Sequence, residues 1–211
     1  MIEDASGAID YDETGSGPAI VLVPGSCSTG AAWRGVMAEW GGAFRCVTTS
    51  LPGYGRTAER RPEDDPSIAH LAEAIEAVIT HAGGPVHLVG HSFGGLVSVA
   101  VALRGKARLA SLTVLEAPAI ELLREHGEEA HYATFKQMSA VYFAAFAGGD
   151  SEAVTHMVDF YGGPGTFASW PERVRVYAIE TTPVNIRDWA TAFAFPLAAA
   201  LPAIRVPTLI A

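Results

Sequence analysis

The sequence predicts an α/β fold, with a mostly parallel sheet and helices on both faces. Apolar runs of strand length alternate with helical patterns from residue 19 onward. The first run, Ala19 to Val23, is continuously aliphatic and ends at Pro24-Gly25, which is typical of a strand buried on both faces. Strands that alternate with helices pair in parallel, because a parallel pair needs a crossover connection.

Further elements follow in order up to residue 115. Asp65-Pro66 predicts the N-cap and first turn of a helix, and Gly83-Gly84-Pro85 predicts its end. A helix at 31–40 and a strand at 44–49 precede this helix. A strand at 86–89, a helix at 96–103 and a strand at 112–115 follow it.

The composition changes after Pro118. Residues 119–195 hold most of the aromatic side chains and several helical patterns, but no convincing central strand. We therefore expect a helical cap at 119–195 that lies over the strand ends, where open α/β sheets bind ligands. The core would comprise residues 1–118 and 196–211, with a last helix at 197–201 and a strand at 204–210.

The segment Gly90-His91-Ser92-Phe93-Gly94 joins a predicted strand to a predicted helix. A G-x-S-x-G sequence in this setting is typical of a nucleophile elbow. The sharp turn lifts the serine clear of the sheet, and Gly90 and Gly94 leave room for the crossing backbone. The alternative is a tight glycine turn whose serine only caps the helix.

Composition excludes several classes of protein. A net charge of −9 leaves no basic patch for nucleic acid or anionic membrane. The sequence shows no signal peptide, no apolar run long enough to span a bilayer and no metal-ligand spacing. Cys27 and Cys46 suggest reduced thiols, so we expect a cytoplasmic protein without metal or cofactor.

The motifs together resemble the α/β-hydrolase superfamily over essentially the whole chain. The elbow is the most specific part of the resemblance. The other matching segments are Gly15-Ser16-Gly17-Pro18, Val23-Pro24-Gly25-Ser26, Leu51-Pro52-Gly53-Tyr54-Gly55 and Val206-Pro207-Thr208-Leu209. Pro24 stands where the family usually has histidine.

The resemblance implies a role for three residues near the elbow. Ser92 would be the nucleophile, and the backbone N–H groups of Ser26 and Phe93 would form the oxyanion hole. Cys27 lies in the same loop as Ser26 but lacks the setting of an elbow, so we do not expect it to be the nucleophile. His91 is expected to point back into the fold with a structural role.

A catalytic serine also needs a base and an acid that orients the base. The family usually places both after the strand that begins near Val206, so we expect them, with the last strand and helix, beyond Ala211 of a longer polypeptide. Glu116, directly after the strand at 112–115, is the alternative acid position. His126, His131 and His156 lie in the cap and suit the surface or the pocket lining better than the role of base.

The function expected from the resemblance is hydrolysis of a small or medium, rather apolar carboxylic ester, without a cofactor. Carbon–carbon, thioester or lactone hydrolysis and perhydrolysis use the same scaffold and serine, and they stay open. So does a non-catalytic protein that binds a small ligand. The expected partner is a small molecule, with no nucleic acid or membrane, and a homodimer is compatible with the sequence.

Overall fold

A computed structural model describes all residues, 1–211, and its centre is a six-stranded sheet. The strand order is β3-β5-β4-β6-β7-β8, and only the edge strand β3 runs antiparallel to its neighbour. The strands are β3 (Asp12–Thr14), β4 (Ala19–Val23), β5 (Arg45–Thr48), β6 (Val86–His91), β7 (Leu109–Leu115) and β8 (Thr208–Ile210). The predicted α/β class and mostly parallel sheet are confirmed.

Helices connect the parallel strands and cover the sheet. They are α1 (Arg34–Glu39), preceded by a 3-10 turn at Gly30–Trp33, α2 (Ala69–Ala82) and α3 (Phe93–Arg104). The core contains β4, all five residues of which are buried, and the inward faces of α2 and α3. Burial of β4 on both faces explains why its sequence is continuously apolar.

The residues between β7 and β8 form helices and no strand. They are α4 (Ile120–Glu125), α5 (Glu129–Ala147), α6 (Val154–Gly162), α7 (Thr166–Ser169), α8 (Glu172–Glu180), α9 (Thr182–Ala194) and α10 (Leu197–Ala200), followed by a 3-10 turn at Leu201–Ala203. Helices α4 to α9 share a second apolar cluster, separate from that of the sheet. The division into a core at 1–118 and 196–211 and a cap at 119–195 stays a prediction. None of the helices is long and apolar enough to cross a membrane.

The predicted N-cap of α2 is wrong. The helix begins at Ala69, three residues after Pro66, with Ile68 at the N-cap position. Asp65 Oδ1 instead accepts the Ser67 N–H at 2.9 Å, and the other oxygen lies 2.7 Å from His70 Nε2. The carboxylate therefore stabilises a turn that precedes the helix.

Three short strands near the N-terminus were not predicted. Strands β1 (Ile2–Asp4) and β2 (Gly7–Ile9) form an antiparallel pair apart from the main sheet, and β3 follows them. Each has three residues, which is too few to show an alternating pattern. Strand β8 is also shorter than expected, since residues 204–207 precede it without strand pairing.

Candidate active site

Ser92 follows β6 directly and has a strained backbone, with φ +53° and ψ −128°. Its N–H donates to the Leu115 carbonyl oxygen at 2.8 Å, and its own carbonyl oxygen accepts the Gly95 N–H at 2.8 Å. A positive φ is costly for a residue with a Cβ, so the surrounding hydrogen bonds must hold it. This is the geometry expected of a nucleophile elbow, in which the side chain stands at the end of the strand.

The two elbow glycines leave room for backbone that passes very close. A Cβ on Gly90 would lie 2.5 Å from the Gly94 carbonyl oxygen. A Cβ on Gly94 would overlap the Pro24 carbonyl oxygen and lie 2.8 Å from that of Val23. At Gly90 the hydroxyl of Ser98 is nearer still. At Gly94 both obstacles are backbone atoms at the end of β4, which cannot rotate away as a side chain can.

Gly94→Ala is therefore expected to lower the free energy of unfolding by about 1–3 kcal/mol, the usual cost of overpacking. Gly35→Ala in α1 is the matched control, because a Cβ there meets no atom within 4 Å. Chemical denaturation of both variants measures the difference. Equal stability of the two variants would contradict the close packing at the elbow.

The loop after β4 lies against the elbow, because β4 and β6 are parallel neighbours and end at the same edge of the sheet. Their register pairs Val23 with Gly90, and a Cβ on Gly25 would lie 3.0 Å from Ser92 Cβ. The N–H groups of Ser26 and Phe93 donate to no other group in the turns, loops and caps. Two unpaired donors thus lie in the loops that meet at Ser92.

A cavity of about 310 Å³ brings Ser26, Ser92 and Phe93 together. Helices α6 and α9, with the segment around α7, supply most of the opposite wall. The remaining lining residues are Pro118, Met157, Val158, Tyr161, Gly162, Thr166, Trp170, Asn185, Asp188, Trp189 and Ala192. The lining contains no histidine, lysine or arginine, and Asp188 is its one ionisable carboxylate. The cavity suits an uncharged, largely apolar small molecule.

Asp188 of α9 anchors the loop that carries Ser26. Its Oδ2 accepts hydrogen bonds from the Ser26 and Tyr54 hydroxyls, both at 2.5 Å. Its Oδ1 accepts from Arg61 Nη1 at 2.8 Å, and Arg61 is also paired with Glu59. The network joins α9 to the loops after β4 and β5.

Burial raises the pKa of Asp188 to about 6, against the opposing effects of the Arg61 guanidinium and the two hydroxyls. The carboxylate is therefore ionised at neutral pH, and Arg61 neutralises its charge. The sequence analysis missed this residue. The indication available was the spacing of Asn185, Asp188 and Thr191, three polar residues at three-residue intervals on a helix whose buried face they share with Trp189.

The family model described as "Alpha/beta hydrolase family" matches residues 20–211. The chain belongs to the alpha/beta hydrolase family. The elbow, the parallel sheet and the cavity over the strand ends are thus the features of a family member, and the expected superfamily is confirmed.

Comparisons with individual proteins agree with the family. The chain is 36% identical over 112 residues to a pimeloyl-[acyl-carrier protein] methyl ester esterase of Aeromonas salmonicida. The match covers 53% of this chain and 42% of that protein, so the chain spans less than half the length of this relative.

Two solved structures share the fold over nearly the whole chain. An alpha/beta hydrolase of Sphaerobacter thermophilus has a TM-score of 0.74 at 22% identity, covering 99% of this chain and 80% of its own. An esterase of Exiguobacterium antarcticum has a TM-score of 0.69 at 19% identity, covering 99% and 78%. At these identities the likeness concerns the fold.

Cys27 is placed unfavourably for a nucleophile. It does not line the cavity, and burial raises the pKa of its thiol to about 12. A thiol must ionise to attack, so a raised pKa suppresses its reactivity. The expectation that Ser92 rather than Cys27 is the nucleophile stays a prediction, and this placement supports it.

Glu116 lies at the end of β7 but does not line the cavity. Its side chain is 80% exposed, and Oε2 lies 3.3 Å from His91 Nε2. His91 is itself half-exposed, so the expectation that it points back into the fold is wrong; its ring reaches Glu116 at the end of the neighbouring strand. The role of Glu116 as the acid stays a prediction.

The other histidines lie apart from Ser92. His126, His131 and His156 are exposed on the helices between β7 and β8, and none lines the cavity. His87 in β6 is partly buried, with Nδ1 2.7 Å from Ser111 Oγ, as a structural histidine would be. Most of the aromatic residues of this region pack against each other, and only Tyr161, Trp170 and Trp189 among them line the cavity.

Proposed function

We propose that the protein is a serine hydrolase that cleaves a small or medium, rather apolar carboxylic ester through an acyl-enzyme on Ser92. The observation that carries the proposal is the position of Ser92, on a strained elbow, in a cavity that also exposes Ser26 and Phe93. The 36% identity to a methyl ester esterase supports an ester as the substrate.

The reaction begins when Ser92 Oγ attacks the carbonyl carbon of the ester and a general base takes its proton. The carbonyl oxygen becomes an oxyanion, which the N–H groups of Ser26 and Phe93 stabilise. The carbon–oxygen bond to the alcohol then breaks, and the base returns the proton to the leaving oxygen. Water attacks the acyl-enzyme by the same route, which releases the acid and restores Ser92.

The histidine base implied by the family resemblance is not among the residues that line the cavity, so the proposal assigns the nucleophile and the oxyanion donors alone. Two features support these roles: the strained backbone at Ser92, and the N–H groups of Ser26 and Phe93, which form no hydrogen bond within the protein. Both features would be superfluous in a helix-capping serine, which is the alternative for this turn.

Reaction of the full-length protein with a fluorophosphonate tests the proposal. Intact mass should show a single adduct, and tandem mass spectrometry should locate it on Ser92. Cys27→Ala is the matched control for the rival nucleophile and should still be labelled. An adduct elsewhere would contradict the assignment, and no adduct, with stabilisation by ester ligands that are not turned over, would favour a non-catalytic binding protein.

A further inference from the structure

Helix α9 presents a second polar side chain to the cavity besides that of Asp188. Asn185 lies one turn before Asp188, lines the same cavity as Ser92 and is only 1% exposed. It has no part in the proposed mechanism. Polar side chains at such depth normally have all their hydrogen-bonding groups satisfied, so each of its polar atoms must be accounted for.

The Asn185 amide is oriented with its oxygen towards Tyr142 of α5. The Tyr142 hydroxyl, which is fully buried, donates to Asn185 Oδ1 at 2.9 Å. A phenol that donates in this way occupies the oxygen end of the amide. The nitrogen end, Nδ2, donates to no group of the protein and is left on the side of the cavity.

An unpaired donor in a largely apolar cavity favours a ligand that supplies an acceptor, because an apolar ligand that displaces water would leave the N–H without any partner. We propose that Asn185 Nδ2 binds a second oxygen of the substrate, beyond the scissile ester. The substrate class is then an uncharged ester with an additional ether, carbonyl or ester oxygen in its chain. The inference rests on the proposed function in that it treats the ligand as a substrate. The binding contact itself does not require catalysis.

The charges around Asn185 select an uncharged acceptor. Asp188 is ionised one turn away on the same helix, and its charge is already neutralised by Arg61. A carboxylate on the ligand would lose its hydration in a cavity whose lining has no lysine, arginine or histidine to compensate the charge. An ether or carbonyl oxygen accepts the Nδ2 hydrogen without that cost.

Binding of a series of esters tests the inference. The probes are ethyl hexanoate, hexyl acetate and the esters in which an ether oxygen replaces, one at a time, each chain methylene that is separated from the ester group by at least two carbons. Their dissociation constants are measured by ligand-observed NMR on the full-length Ser92→Ala protein, which removes the nucleophile and avoids turnover. At one position the ether ester should bind about tenfold more tightly than its all-carbon parent, as expected for a hydrogen bond in a buried site.

Asn185→Leu in the same background should reduce that ratio to about one, because leucine has a similar volume and no donor. Thr166→Val, which removes another hydroxyl of the cavity lining, should keep the ratio. Should Asn185→Leu fail to fold because Tyr142 loses its acceptor, Asn185→Leu combined with Tyr142→Phe removes both partners and gives the same comparison.

A series without a preferred ether position would overturn the inference, as would a preference that survives the loss of Asn185. Monoethyl adipate, whose chain ends in a carboxylate, should bind more weakly than the preferred ether ester, and tighter binding would refute the selection for uncharged acceptors. A different result would refute the proposed function alone. In that case the preference for one ether ester would remain, but the protein with Ser92 intact would neither hydrolyse that ester nor form the fluorophosphonate adduct.

Discussion

Ser92→Ala is expected to lower kcat for ester hydrolysis by about 10⁴-fold or more in the full-length protein. The substitution removes the atom that we propose forms the acyl-enzyme, and the residual rate would come from direct attack by water on an ester carbonyl bound by the proposed oxyanion donors. KM should change much less, because the cavity walls and the N–H groups of Ser26 and Phe93 remain. Hydrolysis of p-nitrophenyl butyrate at saturating concentration measures the effect.

The matched control is Ser151→Ala, an exposed serine between α5 and α6 far along the chain from the elbow. It should keep the activity of the unmodified protein. Loss of activity in both variants would indicate a general defect of folding. Full activity in Ser92→Ala would refute the proposal that Ser92 is the nucleophile. It would favour direct attack by water on the ester, with the proposed oxyanion donors as the main catalytic groups.

The elbow could be predicted because its constraints are local. A serine between two glycines, after an apolar strand and before an apolar helix, determines the turn within five residues. The continuous apolar strand β4 was predictable for a related reason, since burial on both faces leaves no position for a polar residue.

The anchoring of the Ser26 loop could not be predicted, because its partners lie far apart in the chain. Ser26 and Asp188 are separated by 162 residues, and Tyr54 and Asp188 by 134. No local pattern identifies which buried acid meets which hydroxyl. The prediction of an N-cap at Asp65 was wrong for a local reason: Ser67 and His70 each bind one oxygen of the carboxylate and hold it in a turn before the helix.

Asp188→Leu is expected to destabilise the protein by about 3 kcal/mol, the lower end of the cost of breaking a buried ion pair. The loss falls on Arg61, whose side chain is 1% exposed and keeps only Glu59 as an ionic partner. The hydroxyls of Ser26 and Tyr54 lose their acceptor at the same time. Urea denaturation of the variant and the unmodified protein measures the difference in free energy of unfolding.

The double variant Asp188→Leu with Arg61→Met separates the charge from the packing. Methionine fills much of the space of the arginine stem and needs no counter-charge, so most of the lost stability should return. Asp188→Asn keeps the shape of the side chain and one acceptor oxygen. Its free energy of unfolding should lie between those of Asp188→Leu and the double variant. If the double variant were as unstable as Asp188→Leu alone, the unpaired guanidinium would not be the cause. The cost would then come from the unpaired hydroxyls of Ser26 and Tyr54, and the Ser26 loop would be anchored by hydrogen bonds rather than by the ion pair.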